Sequence, residues 1–313
     1  MPSAVDLGMS SPAGQVIALF GPTGVGKTAL AIAIAARLRA QGEDPVAVSA
    51  DALQVYVGLE VLTGVASAAE RAELEHRLVS FLPLDASFSV GQYSELAHAE
   101  IDALLAHRRR PIVVGGTGLY LRAALTELDL RPPPDAQTRE HWIAALERHG
   151  PGALHELLAG RAPWAAREID PADRQRIVRA LELSDAGELE PLEGPSQLWT
   201  AETRHPTLLV GLVLEREELY SRIDARVERM LKDGVREEVQ RAHSQGASQT
   251  ARKALGFQEL LTGDVEAMKR RTRNYARRQL TWMRKLAGVN VLDLTDRTTD
   301  DVAREIAILA GSH

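Results

Sequence analysis

Residues 19–30 read LFGPTGVGKTAL, and the eight letters GPTGVGKT satisfy G-x-x-x-x-G-K-[ST] at every fixed position. An apolar run, VIALF (16–20), precedes the motif, and the helix-forming ALAIAIAA (29–36) follows it. Strand, glycine-rich turn and helix in that order make a phosphate cradle of Gly21, Pro22, Thr23, Gly24, Val25, Gly26, Lys27 and Thr28. The glycines let backbone N–H groups curl around phosphate oxygens, and the helix N-terminus adds a favourable partial charge. Lys27 supplies a point charge, and Thr28 is placed to hold Mg²⁺. Of 37 basic residues only five are lysine, so Lys27 is not drawn from a lysine-rich surface. The loop implies a polyphosphate without saying which one.

The same alternation continues along the chain. Short apolar runs recur at 16–20, 45–50, 78–82, 111–116, 208–214 and 289–294, separated by segments of helical periodicity such as 28–41 and 92–108. Continuous Val/Ile/Leu runs suit strands covered on both faces. The expectation is an α/β fold, a P-loop NTPase-like parallel sheet core flanked by helices. Residues 131–205 contain helical patterns and no convincing strand, and read as a helical insertion domain between core segments 15–130 and 206–313. Within it Asp170 is the expected N-cap of a helix through 183, with Pro171 in the first turn. In 217–234, Leu219, Ile223, Val227 and Met230 form one apolar stripe. Tyr275, Gln279, Trp282 and Leu286 share a side of the helix expected around 269–286.

Composition narrows the function. There is no cysteine, which excludes disulfides and thiolate metal clusters. Residues 1–14 read as a flexible tail rather than a secretory signal. The most apolar helix is too short to span a bilayer. A cytoplasmic protein, monomeric and without membrane association, is the expectation. The net charge of −6 argues against indiscriminate nucleic-acid binding, yet residues 268–286 carry eight basic residues and no acidic one. One positive face is expected.

A nucleoside-triphosphate hydrolase needs a second element, an apolar strand ending in an acidic residue that helps hold Mg²⁺. The run PIVVGGTGLY (111–120) instead ends in glycines and a threonine. The acidic residue that does end a strand is Asp51, in PVAVSADALQVY (45–56). Strand C-termini line the ligand crevice of a parallel sheet, so Asp51 is expected beside the loop. It can bind Mg²⁺, accept a proton from a nucleophile, or cap a helix. A P-loop nucleotide or small-molecule kinase is the alternative that these features leave open.

Taken in order, GPTGVGKT, SADALQVYVGLE, PIVVGGTGLYL, DRQRIVRALEL, LYSRIDARVERML, ALGFQEL and RNYARRQLTWMRKL resemble the tRNA dimethylallyltransferase family. The likeness spans residues 16 to 286. The resemblance implies that the phosphate held is the diphosphate of dimethylallyl diphosphate. It also implies that the prenyl group goes to N6 of the adenosine 3′-adjacent to the anticodon (tRNA position 37), in tRNAs reading codons that begin with U, with Mg²⁺ as cofactor. It further implies that the insertion grips the anticodon stem-loop.

The resemblance assigns roles residue by residue. Asp51 becomes the base, Thr23 and Lys27 hold the diphosphate, and Arg222 reaches it from LYSRI. The implied tRNA contacts are Asp51, Ala52, Leu53 and Gln54; Thr117; Arg139; Gln175, Arg176, Ile177, Val178 and Arg179; and Lys253, Ala254, Leu255, Gly256, Phe257 and Gln258. Two departures from the family pattern stand out. Ala52 replaces the usual serine, and LTGVASAA (62–69) lacks the lysine and proline of the usual GTAKP element.

Overall fold

The central strands alternate side chains between two separate cores. The computed structural model describes residues 15–131, 135–191 and 197–311. Residues 1–14, expected as a tail, lie outside them. In β1 (Val16–Phe20), Val16, Ala18 and Phe20 join one hydrophobic cluster while Ile17 and Leu19 join another. β2 (Pro45–Ala50) divides the same way, with Val46, Val48 and Ala50 opposite Ala47. Both faces are covered, which is why these runs read as continuously apolar.

The sheet is completed by β3 (His76–Arg77), β4 (Arg110–Gly115), β5 (Thr207–Val213) and β6 (Asn290–Asp293), in the order β3-β2-β4-β1-β5-β6. All its pairs are parallel. On the first side lie the short α2 (Glu60–Thr63), then α4 (Val90–Ala106) and α5 (Gly118–Leu125), which bury Leu62, Tyr93, Ala97, Ile101 and Leu121. On the second side α1 (Lys27–Ala40) buries Leu30, Ile34 and Leu38. A further short helix, α3 (Ala68–Glu73), is closed by a Ser67–Glu70 capping box.

The expected strand at 78–82 is a correction. Only His76–Arg77 pairs with β2, because Leu78 (φ 59°) and Ser80 (φ 46°) take left-handed conformations that a strand cannot continue through. The run instead docks on the segment after β2, with Phe81 and Leu82 amides donating to Val55 O.

Asp129–Ser196 form a second compact unit, all helical among its described residues. α6 (Ala136–Arg161) is broken at Gly150 (φ 78°) ahead of Pro151, and α7 (Pro163–Glu168) and α8 (Arg174–Asp185) follow. Trp142, Leu146, Leu158, Ile177 and Leu181 make its core. The N-cap of α8 is Asp173, which accepts from Arg176 N, whereas Asp170 closes the preceding turn onto Ala172 N. The strip 197–205 belongs to the core unit, not to the insertion. Arg122 donates to Gln197 O and Glu202 O, and Arg204 pairs with Asp102 and Glu127.

The C-terminal part returns to the core. α9 (Arg216–Lys232) is the amphipathic helix expected at 217–234, with Leu219, Ile223, Val227 and Met230 all buried. It is followed by α10 (Val235–Ser244), α11 (Phe257–Thr262), α12 (Val265–Met283) and α13 (Thr299–Gly311). Buried Glu238 of α10 accepts from Val61 N (2.9 Å) and Leu62 N (2.8 Å), fastening α2 to the core.

Candidate active site at the carboxyl ends of the strands

Strand register sets the site. Gly115, the last residue of β4, pairs with Phe20 on one side and with Ala50 on the other. The residues that leave the sheet next, Gly21, Asp51 and Gly116, therefore emerge side by side. Gly115 must be glycine, since a Cβ there would lie 2.5 Å from Ala50 O.

The loop turns on two left-handed glycines, Gly24 (φ 84°) and Gly26 (φ 101°). Any side chain at Gly24 would also press on Ile223 Cγ1 at 2.9 Å, so the loop seats directly on α9. The Lys27 ammonium donates to Gly21 O (2.9 Å) and Pro22 O (3.0 Å). Thr28 lies in the first turn of α1, and its hydroxyl has no protein partner among the described residues. As a hard oxygen donor beside a phosphate loop it fits Mg²⁺, which keeps most of its shell as water and phosphate oxygen. No cluster of three metal-ligating side chains occurs among the described residues, so the protein alone does not build a cage for the ion.

Asp51 turns on itself, its Oδ1 accepting from Leu53 N at 2.9 Å. Burial pushes its carboxyl up from the usual carboxylate range, against the opposing pull of that amide, Lys27 and Arg226. Burial, with the Arg226 cation nearby, brings the Lys27 ammonium down to about 8, while Asp51 pulls the other way. Three phenols feel the Asp51 charge. Tyr93, Tyr120 and Tyr275 are all raised, first by burial and then by that carboxylate, Tyr275 to about 12. The Tyr93 and Tyr120 rings lie 4.7 Å apart, giving the site an aromatic wall. Tyr93 donates to Ser49 O at 3.0 Å, and the Tyr275 and Thr117 hydroxyls pair at 3.0 Å.

The cation that faces Asp51 is Arg226, not Arg222. Arg222 is 43% exposed and ion-paired with Glu218 at 2.6 Å. Arg226, one turn later, has its guanidinium buried enough to lower its pKa, with Asp51 drawing it back up. It makes no hydrogen bond or ion pair among the described residues. Both arginines lie in LYSRIDARV, and nothing in the spacing alone separates them.

Several expected RNA contacts are core residues instead. Ile177 and Val178 face the interior of the insertion, and Ala254, Gly256 and Phe257 are buried in the main core. Gln54 is consumed internally, accepting from Ser49 Oγ at 2.7 Å and donating to Gly64 O at 3.1 Å. Ala52 and Leu53 are partly buried against the core and Leu255 is partly buried, while Gln175, Arg176, Lys253 and Gln258 are exposed. Arg139 and Arg179 flank buried Glu182, each at 3.3 Å.

The basic run is less free than its composition implies. Lys269 pairs with Glu228, Arg271 with Glu259 and Arg273 with Asp224. Arg278 lies over Tyr275 and Lys285 over Trp199. Three of the run's eight charges tie α12 to α9 and α11.

β4 ends in Gly115 and not in a carboxylate, so the second acidic element of a phosphoryl-transfer site is missing from its usual strand end. Among the described residues no helix is long and apolar enough to cross a membrane.

The model of the family described as IPP transferase matches residues 54–286. The chain is 38% identical to the tRNA dimethylallyltransferase of Bifidobacterium adolescentis, over 90% of this chain and 84% of that protein. It is 39% identical to that of Thermobifida fusca, over 90% and 92%. The crystal structure of the full-length tRNA isopentenylpyrophosphate transferase from Bacillus halodurans superposes with a TM-score of 0.67 at 31% identity, covering 95% of each chain. A eukaryotic dimethylallyltransferase acting on tRNA superposes with a TM-score of 0.70 at 25% identity, covering 90% of this chain and 74% of that one.

Proposed function

Because this chain belongs to the IPP transferase family, we propose that it transfers the dimethylallyl group of dimethylallyl diphosphate to N6 of the adenosine 3′-adjacent to the anticodon (tRNA position 37), in tRNAs reading codons that begin with U. The observation that carries the reading is the register of Phe20, Gly115 and Ala50, which sets a phosphate loop next to the Asp51 carboxylate while β4, paired with β1, ends in glycine.

In this reaction a bond forms between adenine N6 and the prenyl C1, and the bond from C1 to the diphosphate oxygen breaks. Negative charge grows on the leaving diphosphate. The P-loop amides, Lys27 and Arg226 are preorganised cations and dipoles for that charge, the kind of stabilisation that lowers such barriers most. Thr28 would hold Mg²⁺, which would supply further neutralisation of the leaving group. The N6 amine is a weak nucleophile and sheds a proton as it attacks. Asp51 accepts it, and the burial that raises its proton affinity suits it to the task. The aromatic side of the site, Tyr93, Tyr120 and Tyr275, shields a five-carbon chain from water.

The acceptor adenine leaves the base stack, as chemistry on a base requires. Thr117, next to Gly116, is the first acceptor-side contact. Exposed Arg176, Gln175, Lys253 and Gln258, together with Arg139 and Arg179, meet RNA, the arginines chiefly through phosphate. The enzyme acts as a monomer in the cytoplasm, where its RNA substrate resides.

Incubating the protein with labelled dimethylallyl diphosphate, Mg²⁺ and an unmodified anticodon stem-loop is expected to give N6-prenyladenosine and pyrophosphate. Phosphoryl transfer from ATP to a small acceptor, with no prenyl transfer, would overturn the reading in favour of a kinase.

A further inference from the structure

Gln279 of α12 is 4% exposed, and both ends of its amide are engaged. Its Oε1 accepts from Thr23 N–H at 2.8 Å, and its Nε2 donates to Gly116 O at 2.7 Å. A backbone N–H only donates and a backbone carbonyl only accepts, so the amide has one orientation that satisfies both. One turn earlier on the same helix face, Tyr275 pairs with Thr117 at 3.0 Å. α12 thus grips the strip 116–117 twice and the phosphate loop once. The bridge exists only because residue 116 is glycine. A Cβ there would overlap Gln279 Nε2 and sit 3.2 Å from Gly21 O and 3.4 Å from Lys27 Nζ.

This arrangement has a mechanical consequence. Thr23 N–H belongs to the loop that holds phosphate, yet it is committed to a side chain from a helix 256 residues away in sequence. Any shift of the loop onto a diphosphate pulls on Gln279, and Gln279 passes the pull to Gly116 and Thr117. We propose that Gln279 is a positioning residue that couples the diphosphate loop to the acceptor strip, so that filling either side tightens binding at the other. Naming those two sides rests on the transferase reading above. By thermodynamic linkage the coupling is reciprocal.

Calorimetric titration with inorganic pyrophosphate, in the presence and absence of an unmodified anticodon stem-loop, tests the coupling. In the wild type the RNA is expected to tighten pyrophosphate binding by about 5-fold or more, the lower end of ordinary allosteric coupling. Gln279→Ala is expected to bring that ratio to one while the protein still binds each ligand alone. Gln279→Glu keeps the acceptor for Thr23 but sets an oxygen against Gly116 O, and is expected to lose the coupling as well. Should the Gln279 variants fail to fold, Tyr275→Phe removes the other grip on the strip and is expected to reduce the ratio. A ratio unchanged in the folded variants, or a ratio of one in the wild type, would overturn the proposal. Prenyl transfer is assayed separately: product formed without coupling overturns this inference alone, whereas no product overturns the transferase reading.

Discussion

Arg226 occupies the space that a side chain at residue 64 would need. A Cβ on Gly64 would overlap Arg226 Nη2 and lie 2.8 Å from its Cζ. Gly64 also has φ 65°, and its carbonyl is held by Gln54. The strip LTGVASAA, which departs from the usual family wording, thus keeps the one residue that leaves room for the cation facing Asp51. Gly64→Ala is expected to displace the guanidinium and lower kcat by about 10-fold or more, the cost of losing one charge-stabilising group in a transition state. Steady-state kinetics with saturating RNA would show it.

Arg226 and Arg222 are separable by substitution. Arg226→Ala is expected to lower kcat by about 10²-fold or more, comparable to the loss of one oxyanion donor. Arg222→Ala removes an exposed pair with Glu218, and such pairs contribute about 0–1 kcal/mol. Its kinetics are expected to stay near wild type. Equal losses in the two variants would return Arg222 to the site.

The depressed ammonium of Lys27 predicts how binding responds to pH. Its pKa in the free protein is about 8, below the ordinary lysine value, so raising the pH through 8 removes the charge that attracts the diphosphate. Pyrophosphate affinity is expected to fall above pH 8, and binding there to take up a proton at Lys27. Lys27→Arg stays charged throughout this range and is expected to lose that component of the dependence. Calorimetry in two buffers of different ionisation enthalpy reads the proton directly. Because folding lowers its pKa, Lys27 makes stability rise with pH, as a depressed carboxylate also does. Charged Lys27 penalises the folded state below pH 8, and that penalty fades as pH rises from there toward 10.5, the unperturbed value.

Glu238 supports the site from a distance. It satisfies the Val61 and Leu62 amides at the start of α2, the helix that delivers Gly64. Glu238→Ala is expected to destabilise the fold by about 1–3 kcal/mol, the cost of leaving buried donors unpaired. Chemical denaturation would measure it, and an unchanged midpoint would show that α2 is held by other means.

The alternation of strands and helices is legible in the chain because strands buried on both faces are written in apolar letters and the phosphate loop in glycines, whereas the strand order in the sheet is not. Asp51 leaves β2 next to the loop because the end of a strand leaves its next residue little choice of place. Pairings between distant segments carried no such signature. Arg226 differs from Arg222 only in which way one helical turn points. The amide of Gln279 looked like one more residue in a stripe with Tyr275 and Trp282, although a lone polar side chain on a buried stripe is itself a hint. Ile177 and Phe257 fall inside motif blocks, but their side chains serve the cores that hold those blocks in shape. The strand expected at 78–82 failed on backbone conformation at Leu78 and Ser80, which no apolar count reveals.

In the proposed reaction Asp51 accepts the N6 proton. Single-turnover prenyl transfer by Asp51→Asn, with RNA affinity measured in parallel, tests it most directly. The expected result is a rate lower by about 10²–10⁴-fold, the range for loss of a general base, with RNA binding close to wild type. Undiminished transfer by that variant would contradict it.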